Sequence, residues 1–228
     1  MTESLVEIAD NPDILGRLSV NERVRVVSRG RLRVYAPGDL VFEQGGHHDG
    51  IFIIRGGLVR SFYVGANGRE ITLAYWTPGH FVGGPEIFGG GEHMWTAEAV
   101  ERSNIVHLPG DELRALVQEI PKLAVGLIEA LVHKGKCYSA LLQLLGTKPA
   151  IKRLAHLILT LAKRAGRQND RCVVIDVSFT HEELANMIGA TRQLVSLMLD
   201  RFEKDRIINC DKQRITVLEP GRLARISE

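Results

Sequence analysis

The chain has 228 residues, with 29 Lys plus Arg against 27 Asp plus Glu and 45% hydrophobic residues. At about 100 to 200 residues per domain this is one large or two small domains with real cores, which excludes a collagen, a coiled-coil rod and a disordered tail. The net charge of +2 is uneven: residues 1 to 146 hold 14 basic and 17 acidic side chains, residues 147 to 228 hold 15 and 10, and a polyanion partner is expected for the second part alone.

The opening MTESLVEIADNPDIL lacks a basic stretch followed by an apolar core, and no run approaches the roughly 18 apolar residues of a membrane span. A cytoplasmic protein with no membrane partner is expected. From Gly30 to Leu108 short stretches alternate with period two, RLRVYAPGDLVFEQG, GIFIIRGGLVRSFYV, ANGREITLAYWTPGHF and WTAEAVERSNIVHLP, and 15 of the 23 glycines fall between residues 30 and 91. Turns near residues 37, 45, 56, 67, 79 and 90 keep the rhythm of a β-sandwich or β-roll. Asn67-Gly68 predicts a hairpin with a type I′ turn, in which both central residues take positive φ.

After Pro109-Gly110 the spacing becomes helical and stays so to about Gly146, enough for a helix of roughly 50 Å. Ala124, Ile128, Leu131, Gly135, Tyr138, Leu142 and Leu145 recur at steps of four and three, the seam of a helix pairing with its twin in a homodimer. Leu127, Leu141 and Leu144 form a second stripe that would pack on the helix's own β-roll. His133 and Cys137, four apart, share a face, but two ligands make no metal site, and no metal is expected. Cys137, Cys172 and Cys210 are too scattered for a zinc or cluster motif and read as ordinary thiols, Cys210 included although it stands near the second domain's hairpin.

Gly146-Thr147-Lys148-Pro149 breaks the helix, and three parts follow: residues 1–110 as a sensor, 111–146 as a dimerisation helix and 147–228 as a second domain. In the last, a helix near 149–165, a polar loop GRQND and a strand RCVVIDVSF lead to FTHEELANMIGATRQLVS. That motif has the spacing of a helix-turn-helix. Thr180 and Glu183 form a capping box, Leu184, Ala185 and Ile188 the buried face, Gly189 the turn, and Thr191 caps a second helix. Arg192, Gln193 and Ser196 open that helix, where Arg can pair with guanine and Gln with adenine; His181 and Thr180 stand at a phosphate-facing helix start. A hairpin from Ile207 to Val217 follows like a wing.

In the order and spacing of PGDLVFEQG, DGIFIIRGGLVR, NGREITLAYWTPGHFVG and GATRQLVSLMLDRFEKDRII, nearly the whole chain resembles the CRP/FNR superfamily of bacterial transcription regulators. The resemblance implies an α+β protein: an N-terminal antiparallel β-roll of the cupin-like, cyclic-nucleotide-binding type, a long dimerisation helix and a C-terminal winged helix-turn-helix. It also implies a homodimer on a near-palindromic double-stranded operator, RNA polymerase as a partner, and an effector site near Gly83, Gly84, Glu86, Trp95, Thr96, Tyr138 and Ser139.

The family pattern is broken in that site. In FVGGPE, Gly84 stands where cyclic-AMP-binding members have a glutamate, and His93, Met94 or Trp95 stands where their Arg-Ser phosphate clamp belongs, so a small-molecule effector other than cyclic AMP is expected. Iron-sulfur sensing is excluded because no cysteine precedes residue 137. Haem is disfavoured, since His47, His48 and His80 fall in predicted turns where histidines are solvated, although His93 and His107 also lie in the β half. Where family members often have Glu and Arg, the second helix carries Gln193 and Leu197, so a different half-site is expected. The rival reading is a cyclic-nucleotide-binding-type module that contacts protein instead of DNA. An enzyme is not expected, as no Ser/His/Asp order, metal triad or Walker loop appears.

Overall fold

The computed structural model describes residues 13–169, 172–211 and 213–228, so residues 1–12 and the predicted loop and strand residues Asp170 and Arg171 lie outside the described residues. Helix α1 (Val20–Arg29) opens the described chain behind a Ser19/Glu22 capping box. Strands β1 (Arg31–Tyr35), β2 (Leu40–Phe42), β3 (Gly50–Gly56), β4 (Val59–Val64), β5 (Glu70–Trp76), β6 (Phe81–Val82), β7 (Thr96–Ala99) and β8 (Ser103–Pro109) form two antiparallel four-stranded sheets, ordered β1-β8-β3-β6 and β2-β7-β4-β5. Strand β3 shows why the alternation is so clear. Phe52 and Ile54 join the core between the sheets with Phe42, Trp76 and Ile105, while Ile51 and Ile53 face the other way, towards Val26, Leu116 and Leu123 on the helices.

The Asn67-Gly68 hairpin joins β4 to β5, but with a different turn from the predicted one. Among non-glycine residues described, only Arg206 and Gln213 have positive φ, so Asn67 does not; Gly68 (φ 75°) alone supplies it. The Gly68 amide donates to the Gly65 carbonyl and the Gly65 amide to the Arg69 carbonyl, both at 2.9 Å, which is a longer loop closed by one left-handed residue.

The predicted single helix is two: α2 (Gly110–Glu119) and α3 (Pro121–Thr147). Pro121 has no amide to donate and pushes Ile120 to φ −129°, ψ 81°, outside the helical region, so the chain turns there while the apolar spacing runs on. The buried residues of α3 are Leu123, Gly126, Leu127, Ala130, His133, Lys134, Cys137, Leu141 and Leu144. Its exposed side carries Val125, Ile128, Val132 and Leu142, with Gly135 and Ser139 between them. Ile128, Gly135 and Leu142 of the expected seam are therefore exposed. Ala124, Leu131, Tyr138 and Leu145 are half-buried, Leu131 and Tyr138 against the protomer's own cores, because the β-roll claims that flank.

The second domain holds α4 (Ala150–Ala165), β9 (Gly166–Asn169), β10 (Cys172–Ile175), α5 (His181–Ile188), α6 (Arg192–Lys204), β11 (Ile208–Asp211), β12 (Arg214–Val217) and α7 (Pro220–Ser227). Its sheet runs β11-β12-β10-β9. The predicted polar loop thus supplies a strand, because Gly166 to Asn169 pair with β10 in register Val173 to Gln168. Leu154, Ile158, Leu184, Val195, Phe202 and Ile215 fill the domain core, and Leu58 and Tyr75 of the β-roll join it, so the two halves pack directly.

Candidate nucleic-acid interface and effector cavity

Two caps set the geometry of the helix-turn-helix. The Thr180 hydroxyl accepts from the Glu183 amide at 3.1 Å while the Glu183 carboxylate accepts from the Thr180 amide at 2.6 Å, closing the capping box. Gly189 ends α5 at φ 60°, ψ 45°, a left-handed conformation that a side chain would strain, and a Cβ there would meet Leu145 Cδ2 at 2.8 Å. Thr191 then caps α6 by accepting from the Leu194 amide at 3.3 Å. Arg153 fastens the turn to the hinge, donating to the Ile188 and Lys148 carbonyls at 2.7 Å each.

Val195, Met198, Leu199 and Phe202 bury one side of α6 and leave Thr191, Arg192 and Gln193 exposed at its start. A groove of about 430 Å³ is lined by Thr180, His181, Glu182, Arg192 and Gln213, the last from the turn between β11 and β12. His181 Nδ1 lies 2.7 Å from Ser196 Oγ, so two of the predicted contact residues also brace each other across the motif. Of the predicted contact residues, Thr180, His181 and Arg192 share the groove, Ser196 joins them through His181, and Thr191 and Gln193 are exposed at the start of the same helix.

The expected effector residues are scattered by comparison. Gly84 sits on the His48 ring, its amide donating to His48 Nε2 at 3.0 Å, with Gly83 beside it. Thr96 is buried and accepts from the Gln44 amide at 3.1 Å. Glu86 points out into solvent and Ser139 lies on the exposed side of α3. Only Trp95 and Tyr138, ring centroids 5.7 Å apart, come together. They line a cavity of about 360 Å³ with Tyr63, Ile71, Met94 and Leu141, completed by further leucines of β5 and α3.

The histidines correct an expectation. His47 is exposed, but His48 and His80 are buried, at 0% and 1% exposure, His48 beneath the glycines that follow β6 and His80 against Trp76 and His133 of α3. His93 is buried too, stacked on Phe42 at 3.8 Å, and His107 holds Asp49 at 3.0 Å. Burial pushes His80 and His93 down to about 4, so both are neutral near pH 7. No group of three or more His, Cys, Asp or Glu positioned for a metal occurs among the described residues. Burial, reinforced by Glu203 and Asp200, pushes the Cys210 thiol up to about 12, the opposite of an activated cysteine.

Sequence reasoning missed Lys134. Its ammonium lies 3.4 Å from the Trp76 ring centroid and 4.9 Å from that of Phe81, and burial pushes it down to about 7. The signal was available, since Leu123, Leu127, Ala130, Lys134, Cys137 and Leu141 are spaced by fours and threes. Also missed was the contact between halves, where Glu70 of β5 accepts from Asn186 of α5 at 3.3 Å while paired with Arg60.

Comparison with known proteins places both halves. Residues 32–120 match the cyclic nucleotide-binding domain and residues 152–226 the Crp-like helix-turn-helix domain. The chain is 24% identical over 204 residues, 89% of its length and 82% of the relative's, to the transcriptional activator protein Anr of Pseudomonas protegens. It is 26% identical over 190 residues, 83% of its length and 76% of the relative's, to the fumarate and nitrate reduction regulatory protein of Escherichia coli K12. Among solved structures, a CooA mutant from Carboxydothermus hydrogenoformans aligns with TM-score 0.77 and 21% identity over 99% of both chains. The c-di-GMP responsive regulator CLP of Xanthomonas campestris aligns with TM-score 0.79 and 16% identity over 87% of this chain and 99% of that one. No helix among the described residues is long and apolar enough to cross a membrane.

Proposed function

Because the chain belongs to the CRP/FNR superfamily of DNA-binding transcription regulators, we propose that it acts as a homodimer on a near-palindromic operator, controlled through its β-roll and α3. The observation that carries this is the exposed start of α6, where Arg192 and Gln193 project beside a polar groove in the basic half of the chain. Pairing along the exposed side of α3 would set two recognition helices one DNA turn apart, about 34 Å, and so fix the spacing of half-sites. The partner in transcription would be RNA polymerase.

A cyclic nucleotide does not fit the residues present. The cavity at Trp95 and Tyr138 is walled by aromatic and aliphatic side chains, the Gly84 amide is already committed to His48, and Glu86 faces away. Such walls favour a compact apolar or aromatic effector, because a buried phosphate there would lack a cation. Tyr138 and neighbouring Ser139 couple the cavity to the α3 seam, and a Cβ on Gly135 would meet nothing within 4 Å, which leaves room for a partner helix to approach.

The test is binding to operators selected from a randomised library. Wild-type protein should enrich a two-fold motif whose affinity falls steeply with salt, and Arg192→Ala or Gln193→Ala should cost about 1 to 3 kcal/mol and relax one base position each. Equal binding of wild type and Arg192→Ala across the library would sink the assignment and leave the protein-interaction module in its place.

A further inference from the structure

Thirteen large apolar side chains are exposed among the described residues, and eleven of them lie before the hinge. The two in the DNA-binding half, Leu194 at 39% and Leu197 at 67%, both stand in the first two turns of α6. Elsewhere that half keeps its large apolar side chains covered, so these two are concentrated on the one helix read as the recognition helix.

Leu197 follows Gln193 by four residues, so the two are neighbours on the same face, opposite buried Val195, Met198 and Leu199. A long helical side chain leans towards the N-terminus, which carries the Leu197 methyls towards Gln193 and the entering end of the helix. Asp200, exposed one turn further along, would be repelled by phosphate and limits entry to those first two turns.

We propose that Leu197 is a specificity-determining residue that reads the C5 methyl group of a thymine in the major groove, beside the adenine read by Gln193. The proposal rests on the reading of α6 as the DNA-binding helix. In the major groove guanine, cytosine and adenine present only hydrogen-bonding groups, whereas thymine adds a methyl group. Leucine can neither donate nor accept, so over cytosine it would strip water from the amino group without replacing the bond. Over thymine it buries one methyl group, worth roughly fourfold in affinity per half-site at the usual value for a buried CH₂.

The experiment replaces each thymine of the selected operator singly by deoxyuridine, which removes that methyl group and nothing else. Full-length wild type should lose roughly fourfold per half-site at one thymine position. Leu197→Ala should bind the normal operator about as weakly as wild type binds the deoxyuridine operator, and should lose nothing more when the methyl group is removed. Leu197→Met, which keeps an apolar tip, should retain the sensitivity. Wild type indifferent to deoxyuridine at every thymine, or Leu197→Ala still sensitive at the same one, would overturn the proposal while a selected motif upholds the reading of α6. Failure of wild type to select any motif would overturn both.

Discussion

The two halves of the chain treat polarity in opposite ways. The β-roll and α3 bury His48, His80, His93, His133 and Lys134, whereas the buried polar side chains of the DNA-binding half are Thr160 and Asn186 among the described residues. The DNA-binding half is a plain apolar core that presents its polar groups outward, which suits a reader of fixed shape. In the N-terminal half His80, His93 and Lys134 lose hydration inside a packed interior, and burial lowers the pKa of all three. The exposed apolar stripe of α3 belongs to the same half and shares its helix with buried His133 and Lys134.

The largest effect should come from that stripe. Ile128→Glu or Val132→Glu places a charge in the middle of the proposed dimer contact and should convert the protein to monomers by light scattering, with specific DNA affinity falling on the order of a hundredfold or more. Leu131→Glu, by contrast, strikes a half-buried position packed on the protomer's own core and should lower the melting temperature first. A dimeric Ile128→Glu protein would move the interface off this face.

Lys134 should come next. Its ordinary value is near 10.4 and the folded protein holds it at about 7, so between those values the unfolded chain binds the extra proton and stability rises with pH. Below pH 7 the lysine is charged in both states and its burial penalty is felt in full. Lys134→Met should therefore stabilise the protein by a few kcal/mol, as an order of magnitude, at pH 6, and by progressively less towards pH 10. Urea titrations of both proteins at pH 6 and 9.5 check it, and parallel stabilities at the two values would show that the lysine is not desolvated.

The contrast between the halves also explains what could be read from sequence. The helix-turn-helix was legible because each device is local: Thr180 with Glu183, Gly189 at the turn, Thr191 at the cap. The strands were legible where one face meets each core, as in Ile51 to Ile54. In α3 the apolar residues cover more than one face, and only the tertiary fold decides which stripe the β-roll takes, so the seam mixed exposed positions with half-buried ones such as Leu131 and Tyr138. The buried histidines escaped notice for a related reason: His48 and His80 do stand at turns, but residues distant in sequence cover them. Helix α1 went unread although Ser19 and Glu22 announce it.

The smallest expected effect probes the contact that joins the two halves. The Asn186 side chain, 8% exposed on α5, donates to Glu70, and Glu70 is itself paired with Arg60, whose side chain is only 14% exposed. Asn186→Ala removes one bond from an acceptor that keeps its ion pair, so it should cost about 1 kcal/mol. Glu70→Ala removes the acceptor and leaves the Arg60 guanidinium with Glu98 at 3.9 Å, so it should cost more than Asn186→Ala although both break the same interdomain bond. In hydrogen exchange, Asn186→Ala should speed the amides of α5 and leave the β3–β8 pairing untouched, because the β-roll core does not depend on the contact. If Asn186→Ala instead loosened the whole β-roll, the halves would be one cooperative unit, and the division of labour drawn between them would fail.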